Sequence, residues 1–341
     1  MDKIHLDKIP SIFKNVNLCS PVHVTQKNFE AEEGALLLVE VQNSEGKRAV
    51  IESINGRLGT LNTGDVIPVV LGFRKALVAY AGIIPHSIAV GDQLFLLGSS
   101  GVVGKISSIF PSWGEPLAVK VLGGIVNEQG QLINLSNFAL PIIPNQPHHA
   151  PIVAFIGTRM DCGKTTMACK VVHAFKKRGK KIAAAKLTGF SYTGDLHRLR
   201  DCGANPVLDF VDMGMPSTCN AQPERVVASA INLVNHLKLS QPDLIALEFG
   251  DSLLGEYHVA DILQKLGKEQ MIDIVVLAAY DFCGIKGAQS VLNELGLSID
   301  LVTGPVVNSQ IGVELVQKYF SLLAESNQGE ILTLVNLIDR L

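Results

Sequence analysis

Residues 151–166 read Pro-Ile-Val-Ala-Phe-Ile-Gly-Thr-Arg-Met-Asp-Cys-Gly-Lys-Thr-Thr, and this stretch decides the fold of the C-terminal half. An apolar run of strand length leads directly into a turn, and an amphipathic helix is predicted to begin at Gly163. Backbone N–H groups at such a helix N-terminus bind phosphates. Lys164 adds charge to the outer phosphates, and the Thr165 hydroxyl can ligate Mg²⁺. The pattern predicts a P-loop that binds a nucleoside triphosphate with Mg²⁺.

The predicted phosphate-contacting residues belong to this loop and to the first turn of the helix. They are Thr158, Arg159, Met160, Asp161, Cys162, Gly163, Lys164, Thr165 and Thr166. The loop differs in length from the common pattern, because five residues rather than four separate Gly157 from Gly163. The extra residue indicates a branch of P-loop proteins whose loop is one residue longer than the common one.

After the loop, predicted strands and helices alternate. The strands are Pro151–Ile156, Lys181–Lys186, Leu244–Glu248, Ile272–Leu277 and Leu301–Val307. The helices are Gly163–Arg178, Pro223–Leu237, Tyr257–Leu266, Gly287–Leu295 and Ile311–Ala324, with a last one from Leu332. Continuous apolar strands that alternate with helices indicate an α/β fold, a doubly wound parallel sheet with helices on both faces.

The first 140 residues have a different pattern, in which short apolar runs are separated by glycine turns. The predicted strands are Ala35–Val41, Ala49–Ile54, Val66–Leu71, Ala76–Tyr80, Gln93–Leu97 and Leu117–Leu122. This spacing is typical of an antiparallel barrel or sandwich. No catalytic group of residues is found there, so we expect a smaller, mostly-β domain that shapes the substrate site or forms oligomers.

The stretch Ala139–Pro151 contains four prolines, so neither a helix nor a central strand can continue through it. We therefore expect residues 1–140 and 152–341 to form two domains joined by a linker at 141–151. The pair His148-His149 lies in that linker. A metal site there is not expected, because no carboxylate or thiol stands nearby at ligand spacing.

Composition excludes several functions. Hydrophobic residues make up 47% and charged residues 18%, which indicates packed cores rather than disorder. A net charge of −3 argues against nucleic acid and anionic membranes as partners. No apolar run approaches the roughly 20 residues of a membrane-spanning helix, and no signal peptide is recognisable. The six cysteines lack C-x-x-C spacing, so reduced thiols and a cytoplasmic location are expected.

The loop, with Asp161 two residues before its last glycine, resembles that of dethiobiotin synthetase and its relatives. Downstream segments resemble the same family in the same order, over about residues 151–325. The resemblance implies that Lys186 faces the substrate and the γ-phosphate, that Asp195 and Glu248 bind Mg²⁺, and that Asn308 reads the adenine edge. A second similarity, carried by residues 203–211 and 248–253, is to the C-terminal domain of the DgcN-like family.

We therefore expect an enzyme that uses ATP, or alternatively GTP, with Mg²⁺. It would phosphorylate a small carboxylate or amine-derived substrate and then close an amide or a ring. The predicted catalytic residues are Lys164, Lys186 and Glu248, and the predicted metal ligands are Thr165, Asp195 and Glu248. Asp201, Asp209 and Asp212 compete with Asp195 for the metal.

Two alternatives stay open. One is an N-acyltransferase of the DgcN-like type, whose P-loop would bind the phosphates of an acyl-coenzyme A. The other is a nucleotide-gated binding or assembly protein of the SIMIBI class, in which Arg159 would take the place of the early loop lysine of dimerising partitioning ATPases. A basic helical cluster, formed by His197, Arg198 and Arg200, could hold a small anionic substrate. We expect a homo-oligomer, with a homodimer as the working assumption.

Overall fold

The structure is a computed structural model that describes residues 2–45, 48–147 and 150–341. The chain forms two compact units. Unit 1 comprises Met1–Pro141, Phe190–Gly194 and Phe210–Asn220, and unit 2 comprises Ile142–Gly189, Asp195–Asp209 and Ala221–Leu341. Two short segments from the C-terminal half thus belong to unit 1. The pair His148-His149 lies outside the described residues.

Unit 1 is built mainly from β-strands. They are β1 (Asp2–Ile4), β2 (Val22–Thr25), β3 (Phe29–Glu30), β4 (Leu36–Val41), β5 (Val50–Glu52), β6 (Leu58–Thr60), β7 (Val66–Leu71), β8 (Tyr80–Ile83), β9 (Ser87–Ile88), β10 (Gln93–Leu96), β11 (Val102–Ile109) and β12 (Ala118–Ile125). Five of them, β12, β10, β11, β7 and β4, close on themselves because β12 also pairs with β4. All of these pairings are antiparallel except β7 with β11.

Alternating apolar residues of these strands fill the inside of the ring. Leu37, Ile67, Val103 and Val119 are fully buried in one core cluster. Full burial of such a side chain stabilises the fold by about 1.5–3 kcal/mol relative to exposure. The predicted strand Ala76–Tyr80 is wrong at its start, since β8 begins only at Tyr80.

Unit 2 contains one parallel sheet of seven strands. They are β13 (Ile152–Gly157), β14 (Ile182–Thr188), β15 (Val207–Asp209), β16 (Leu244–Phe249), β17 (Ile274–Ala278), β18 (Leu301–Thr303) and β19 (Leu323–Ala324). Their order in the sheet is β15-β14-β16-β13-β17-β18-β19. Strands that follow β13 in the chain lie on one side up to β16 and on the other side from β17. The order in which successive strands are added therefore reverses beside β13, and ligands of doubly wound sheets bind at such a switch point.

The helices of unit 2 are α1 (Lys164–Lys177), α2 (Gly194–Asp201), α3 (Pro223–Lys238), α4 (Val259–Lys268), α5 (Phe282–Glu294), α6 (Gln310–Phe320) and α7 (Leu332–Ile338), with the first residue of α2 assigned to unit 1. Side-chain caps define two of their starts. Asp281 Oδ1 accepts from Gly284 N at 2.7 Å before α5, and Ser309 Oγ accepts from Gly312 N at 3.2 Å before α6. Because Asp281 caps α5, this helix begins five residues before the predicted start.

Two sequence predictions near the C-terminus are wrong. The strand predicted at Leu301–Val307 ends at Thr303, because Gly304 adopts a φ of 95° and Pro305 begins a 3-10 turn. The helix predicted to reach Ala324 ends at Phe320, after which Ser321 takes a left-handed conformation. The residues that follow form β19, which pairs with β18.

Aspartates fix the strand starts at the N-terminal edge of this sheet. Oδ2 of Asp273, Asp243 and Asp300 accepts the backbone N–H of Ile152, Lys181 and Val275, at 2.8, 2.8 and 2.7 Å respectively. Each aspartate directly precedes one strand and accepts a hydrogen bond from the backbone at the start of the neighbouring strand. These bonds hold the parallel register at the edge opposite to the P-loop. In the described part of the chain, no helix is long and apolar enough to cross a membrane.

Candidate functional site

The P-loop connects the central strand β13 to helix α1. Gly157 ends the strand, and a Cβ at this position would overlap Sγ of Cys162 and crowd the side chain of Lys164. Asp161 and Gly163 take left-handed conformations, with φ of 59° and 102°, just before the helix begins. The absence of a side chain at Gly157 therefore lets the loop fold back over its own lysine.

Lys164 lies inside this loop and is 6% exposed. Its Nζ donates to the backbone oxygens of Asp251 and Arg159 at 2.7 and 3.0 Å, and lies 3.9 Å from Sγ of Cys162. The ammonium group is thus held by neutral carbonyls. Charged phosphate oxygens accept stronger hydrogen bonds than carbonyls do, so an exchange of partners on phosphate binding is favourable.

The beginning of the loop contacts the end of β17. Thr158 N donates to Ala278 O at 3.0 Å, and Tyr280 N donates to Thr158 Oγ1 at 3.3 Å. The guanidinium group of Arg159 lies over the ring of Tyr280, 4.8 Å from its centre. Arg159 is exposed, and its Nε donates to the backbone oxygen of Met160 at 3.1 Å.

Three oxygen-bearing side chains meet at the start of α1. The Thr165 hydroxyl donates to Glu248 Oε1 and lies 3.5 Å from Asp195 Oδ1. Glu248 is the last residue but one of the buried strand β16 and is 2% exposed, and its Oε2 has no hydrogen-bond partner among the described residues. An unsatisfied buried carboxylate oxygen is costly, which is a reason to expect a ligand beside it.

A row of charged residues crosses three adjacent strands at this edge. Lys186 on β14 is the register partner of Asp209 on β15 and of Glu248 on β16. Nζ of Lys186 lies 2.7 Å from Oδ2 of Asp195, on the second residue of α2. The row and the ion pair place positive charge between carboxylates, close to the P-loop threonine.

These neighbours change the proton affinities of the site. Burial alone would lower the pKa of Lys186, but Asp195 and Glu248 raise it above its ordinary value. Burial would raise the pKa of Asp195, yet the adjacent Lys186 lowers it. Burial and the nearby Asp195 raise the pKa of Glu248, against the opposing effect of Lys186. The lysine therefore stays protonated, and Asp195 stays ionised.

The donor set fits Mg²⁺. This ion prefers oxygen ligands and is commonly bound by one or two carboxylates together with substrate phosphates and water. Thr165, Asp195 and Glu248 supply a hydroxyl and two carboxylates, and Glu248 Oε2 needs a partner. No cluster of three or more His, Cys, Asp or Glu suited to a metal occurs in the described ranges, so an all-protein metal cage is absent from them.

The structure separates the four candidate aspartates. Asp201 is exposed at the end of α2, and Asp209 is the strand partner of Lys186. Asp212 belongs to unit 1, where Lys14 Nζ lies 2.9 Å from its Oδ1 and Asn15 Nδ2 donates to it at 2.7 Å. Asp195 is the aspartate that lies beside Thr165.

The basic cluster on α2 also divides. Arg200 donates to the backbone oxygen of Val207 at 2.9 Å and therefore supports the following strand. Arg198 is exposed and donates to Thr166 Oγ1 at 3.3 Å, next to the P-loop. His197 is partly buried, and its Nε2 has no partner among the described residues. Arg198 is the member of this cluster in contact with the loop.

Asn308 was predicted at the end of a strand, and this placement is wrong because the strand stops at Thr303. Asn308 is exposed after the 3-10 turn, and its Oδ1 accepts from the hydroxyl of Ser326 at 3.2 Å. Sequence reasoning missed Asn327, which is 4% exposed and whose Nδ2 lies 3.5 Å from Gly163 O. Its only signal was its position just after a short strand, which was itself missed.

The loop after Glu248 fastens this strand end to the P-loop. Asp251 takes a left-handed conformation with φ of 68°, and its backbone oxygen receives Lys164. Leu253 N donates to Gly157 O at 2.8 Å, and Thr188 Oγ1 donates to Gly250 O at 2.9 Å. Any movement of the lysine is therefore coupled to this loop.

No protein-family model matches the sequence, and no curated protein matches it significantly. Among solved structures, the signal recognition particle receptor FtsY of Elizabethkingia anophelis in complex with GDP is 16% identical, with a TM-score of 0.40. The match covers 57% of this chain and 62% of that receptor, which is less than two thirds of its length.

Two further structures are similar to the same degree. The cell division protein FtsY of Thermotoga maritima is 16% identical with a TM-score of 0.37, over 58% of this chain and 67% of that one. The signal recognition particle 54 kDa protein of Aeropyrum pernix in complex with GDP is 16% identical with a TM-score of 0.38, over 58% and 50%. The dethiobiotin synthetase-like and DgcN-like resemblances find no support here.

Proposed function

We propose that the protein is a nucleotide-gated P-loop nucleoside triphosphatase. Unit 2 would bind a nucleoside triphosphate with Mg²⁺ and cleave the bond to its terminal phosphate. The observation that carries this proposal is the meeting of the Thr165 hydroxyl with Glu248 and Asp195 at the start of α1. A hydroxyl and carboxylates beside phosphate-binding backbone amides form the donor set that Mg²⁺ shares with substrate phosphates.

Each residue has a role that its surroundings support. The loop N–H groups and Lys164 would bind the phosphates, while Thr165, Asp195 and Glu248 would hold Mg²⁺. Bound Mg²⁺ would neutralise part of the phosphate charge. Lys186, held in its charged form by its carboxylate neighbours, would stabilise the negative charge that develops on the transferred phosphoryl group.

Gating is supported by the chain around Asp195. The five residues before it, Phe190–Gly194, belong to unit 1, whereas Asp195 pairs with Lys186 in unit 2. A ligand that draws Asp195 towards itself would therefore also act on the backbone of Gly194, the residue that precedes it. Lys164 is held by the Asp251 carbonyl, which couples phosphate binding to a second loop in the same way.

A transfer reaction is the second candidate. The exposed guanidinium group of Arg198 beside Thr166 offers a positive charge to a small anionic acceptor next to the loop. In that case the phosphoryl group would pass to a small carboxylate or amine-derived substrate rather than to water. In both cases the candidate nucleotides are ATP and GTP. Asn308 and Asn327 supply amides that could read it.

Calorimetric titration tests the nucleotide claim, with ATP, GTP and acetyl-coenzyme A, each with and without Mg²⁺. We expect one triphosphate to bind more tightly with Mg²⁺. Lys164→Ala removes a charged phosphate contact worth about 1.5–3 kcal/mol, so its affinity should fall about 10- to 150-fold. Lys177→Ala, an exposed lysine at the end of the same helix, is the matched control.

Analysis of the reaction products then distinguishes hydrolysis of the nucleotide from phosphoryl transfer to a small acceptor. Release of inorganic phosphate without any acceptor, with a nucleotide-dependent change of mass in light scattering, supports the gated triphosphatase. Phosphate release that requires a small carboxylate or amine supports transfer. If Lys164→Ala binds every nucleotide as the parent does, the P-loop proposal is wrong; binding of acetyl-coenzyme A alone would favour the acyltransferase.

A further inference from the structure

The segment that leads to Asp195 is anchored at three points within unit 1. The ring of Phe190 lies under the Arg74 guanidinium group, whose central carbon is 4.5 Å from the ring centre. The hydroxyls of Ser191 and Ser100 are 2.9 Å apart. Thr193 N donates to Oε2 of Glu52 at 3.0 Å. Side chains from the first hundred residues thus hold three of the five residues of this segment.

Glu52 is the last of these anchors and the most unusual. It lies at the end of β5 and is 1% exposed, and its Oε2 also accepts from Ser11 Oγ at 2.5 Å. Among the described residues, no Lys, Arg or His forms an ion pair with it. Burial of a carboxylate without a cation is costly unless strong hydrogen bonds compensate. Loss of the hydrogen bond from Thr193 N would therefore leave the buried carboxylate less well compensated and destabilise the fold.

Chain geometry carries this anchoring on to the metal-ligand candidate. Only Gly194 separates Thr193 from Asp195, so their Cα atoms are within about 7 Å of each other. Gly194 is also the first residue of α2, and Asp195 is the second. The direction in which α2 starts, and with it the position of the Asp195 carboxylate, depends on the backbone that Glu52 holds.

We propose that Glu52 is a positioning residue for Asp195. Its carboxylate fixes the backbone at Thr193, so that Asp195 reaches both Lys186 and the Thr165 hydroxyl. This inference rests on the proposed function, because it takes Asp195 to be a metal ligand.

Manganese binding measured by electron paramagnetic resonance tests the inference, with the full-length protein and a non-hydrolysable triphosphate analogue. Asp195→Asn sets the effect expected for loss of the ligand. Glu52→Ala should raise the half-saturating Mn²⁺ concentration at least fivefold, while the affinity for the analogue without metal stays within twofold. Glu52→Gln keeps an acceptor oxygen for Thr193 N and should restore most of the metal affinity.

A stability effect alone would not give this pattern. Asp65→Asn is the matched control, since the Asp65 carboxylate in unit 1 accepts from Asn62 N at 2.7 Å and lies away from the segment in sequence. It should lower the unfolding temperature and leave Mn²⁺ binding unchanged. If Glu52→Ala does not fold, Glu52→Asp retracts the carboxylate by about 1.5 Å at constant charge, and should weaken Mn²⁺ binding in the same direction.

Two results would overturn the inference in distinguishable ways. If Asp195→Asn weakens Mn²⁺ binding and the Glu52 variants do not, Glu52 is only a structural residue and the proposed function stands. If Asp195→Asn itself has no effect, the metal assignment fails and the inference fails with it.

Discussion

Nζ of Lys186 lies 2.7 Å from Oδ2 of Asp195, and this ion pair joins the end of strand β14 to the start of helix α2. The lysine side chain is 7% exposed and the aspartate side chain 23%. Because water is largely excluded, each charge depends on the other. The pair therefore sets both the protonation of Lys186 and the place of Asp195 beside the P-loop.

Removal of this cation should affect both stability and turnover. Lys186→Met leaves the Asp195 carboxylate unpaired, and loss of one partner of a buried pair costs about 3–5 kcal/mol. Nucleotide hydrolysis by the folded fraction should fall about 100-fold or more. Phosphate release and chemical unfolding measure the two effects. Lys180→Met is the control, since Lys180 forms an exposed pair with Asp243 at 3.8 Å; equal losses in both variants would contradict a special role for Lys186.

Glu248 should be needed for turnover but not for nucleotide binding. Glu248→Gln keeps the shape of the side chain and an acceptor for the Thr165 hydroxyl, but removes the charge. We expect hydrolysis to be abolished, while nucleotide affinity stays within about tenfold, or roughly 1.4 kcal/mol. Glu269→Gln, which only disrupts the exposed pair with Lys265, should leave both unchanged. Hydrolysis by Glu248→Gln at the rate of the parent protein would contradict a role for Glu248 in the reaction.

The loop after β16 has no room for a side chain at Gly250. A Cβ there would overlap the backbone oxygen of Thr188, which no side-chain rotation can relieve. Gly250→Ala should therefore lower the unfolding free energy by about 1–3 kcal/mol and disturb the Asp251 carbonyl that receives Lys164. Gly287→Ala, where nothing lies within 4 Å of the added carbon, should be neutral or stabilising. Thermal unfolding compares the two variants.

The stability of unit 2 should depend on pH through Asp300. Burial raises the pKa of Asp300 above 3.8, although the bond from Val275 N lowers it. A carboxyl group with a raised pKa in the folded state stabilises the fold at low pH, and this contribution is lost as the pH rises through the raised value. Asp300→Asn keeps an acceptor for Val275 N and cannot ionise.

Asp300→Asn should accordingly unfold at a higher temperature than the parent at pH 7.5, by a margin that shrinks as the pH is lowered towards 4.5. Calorimetry at several pH values measures this margin. Asp273→Asn, at the corresponding position before β17, is the matched control. If both variants show the same margin and the same trend with pH, burial of Asp300 is not the cause.

Cysteine reactivity offers an independent test of the packing. All six thiols are free. Burial raises the pKa of Cys169 to about 12 and that of Cys219 to about 11, and only the thiolate is nucleophilic. At pH 8 a maleimide should therefore label the exposed Cys19 and Cys283 first and leave Cys169 and Cys219 protected. Rapid labelling of either buried thiol, identified by mass spectrometry, would contradict the packing described.

Local signals in the sequence were strong enough to predict much of unit 2. An apolar run before Gly157 and the Gly-Lys-Thr that follows it predicted the strand, the loop and the helix of the P-loop. The sequence predicts Lys186 and Glu248 as the last residues of their strands. In the structure β14 continues two residues beyond Lys186 and β16 one residue beyond Glu248. Such predictions succeed because buried parallel strands are continuous apolar runs, so that a charged residue at their end is conspicuous.

Predictions failed where the deciding contact is remote in sequence. The apolar pattern predicts a strand that continues past Thr303 to Val307, and it does not predict β19, because two residues form a strand only when a partner strand lies beside them. The role of Asn327 next to Gly163 depends on the same missed element. Local periodicity carries no information on such pairings.

By itself, then, the sequence determined a P-loop on the central strand of a parallel sheet and the charged strand ends beside it, since glycine spacing and hydrophobic periodicity are local properties. Only the tertiary structure decided which of four aspartates lies beside Thr165, and that the segment before Asp195 belongs to unit 1. The physical reason is that these outcomes depend on hydrogen bonds between residues far apart in the chain. The bond from Thr193 N to Glu52, across 141 positions, is one of them.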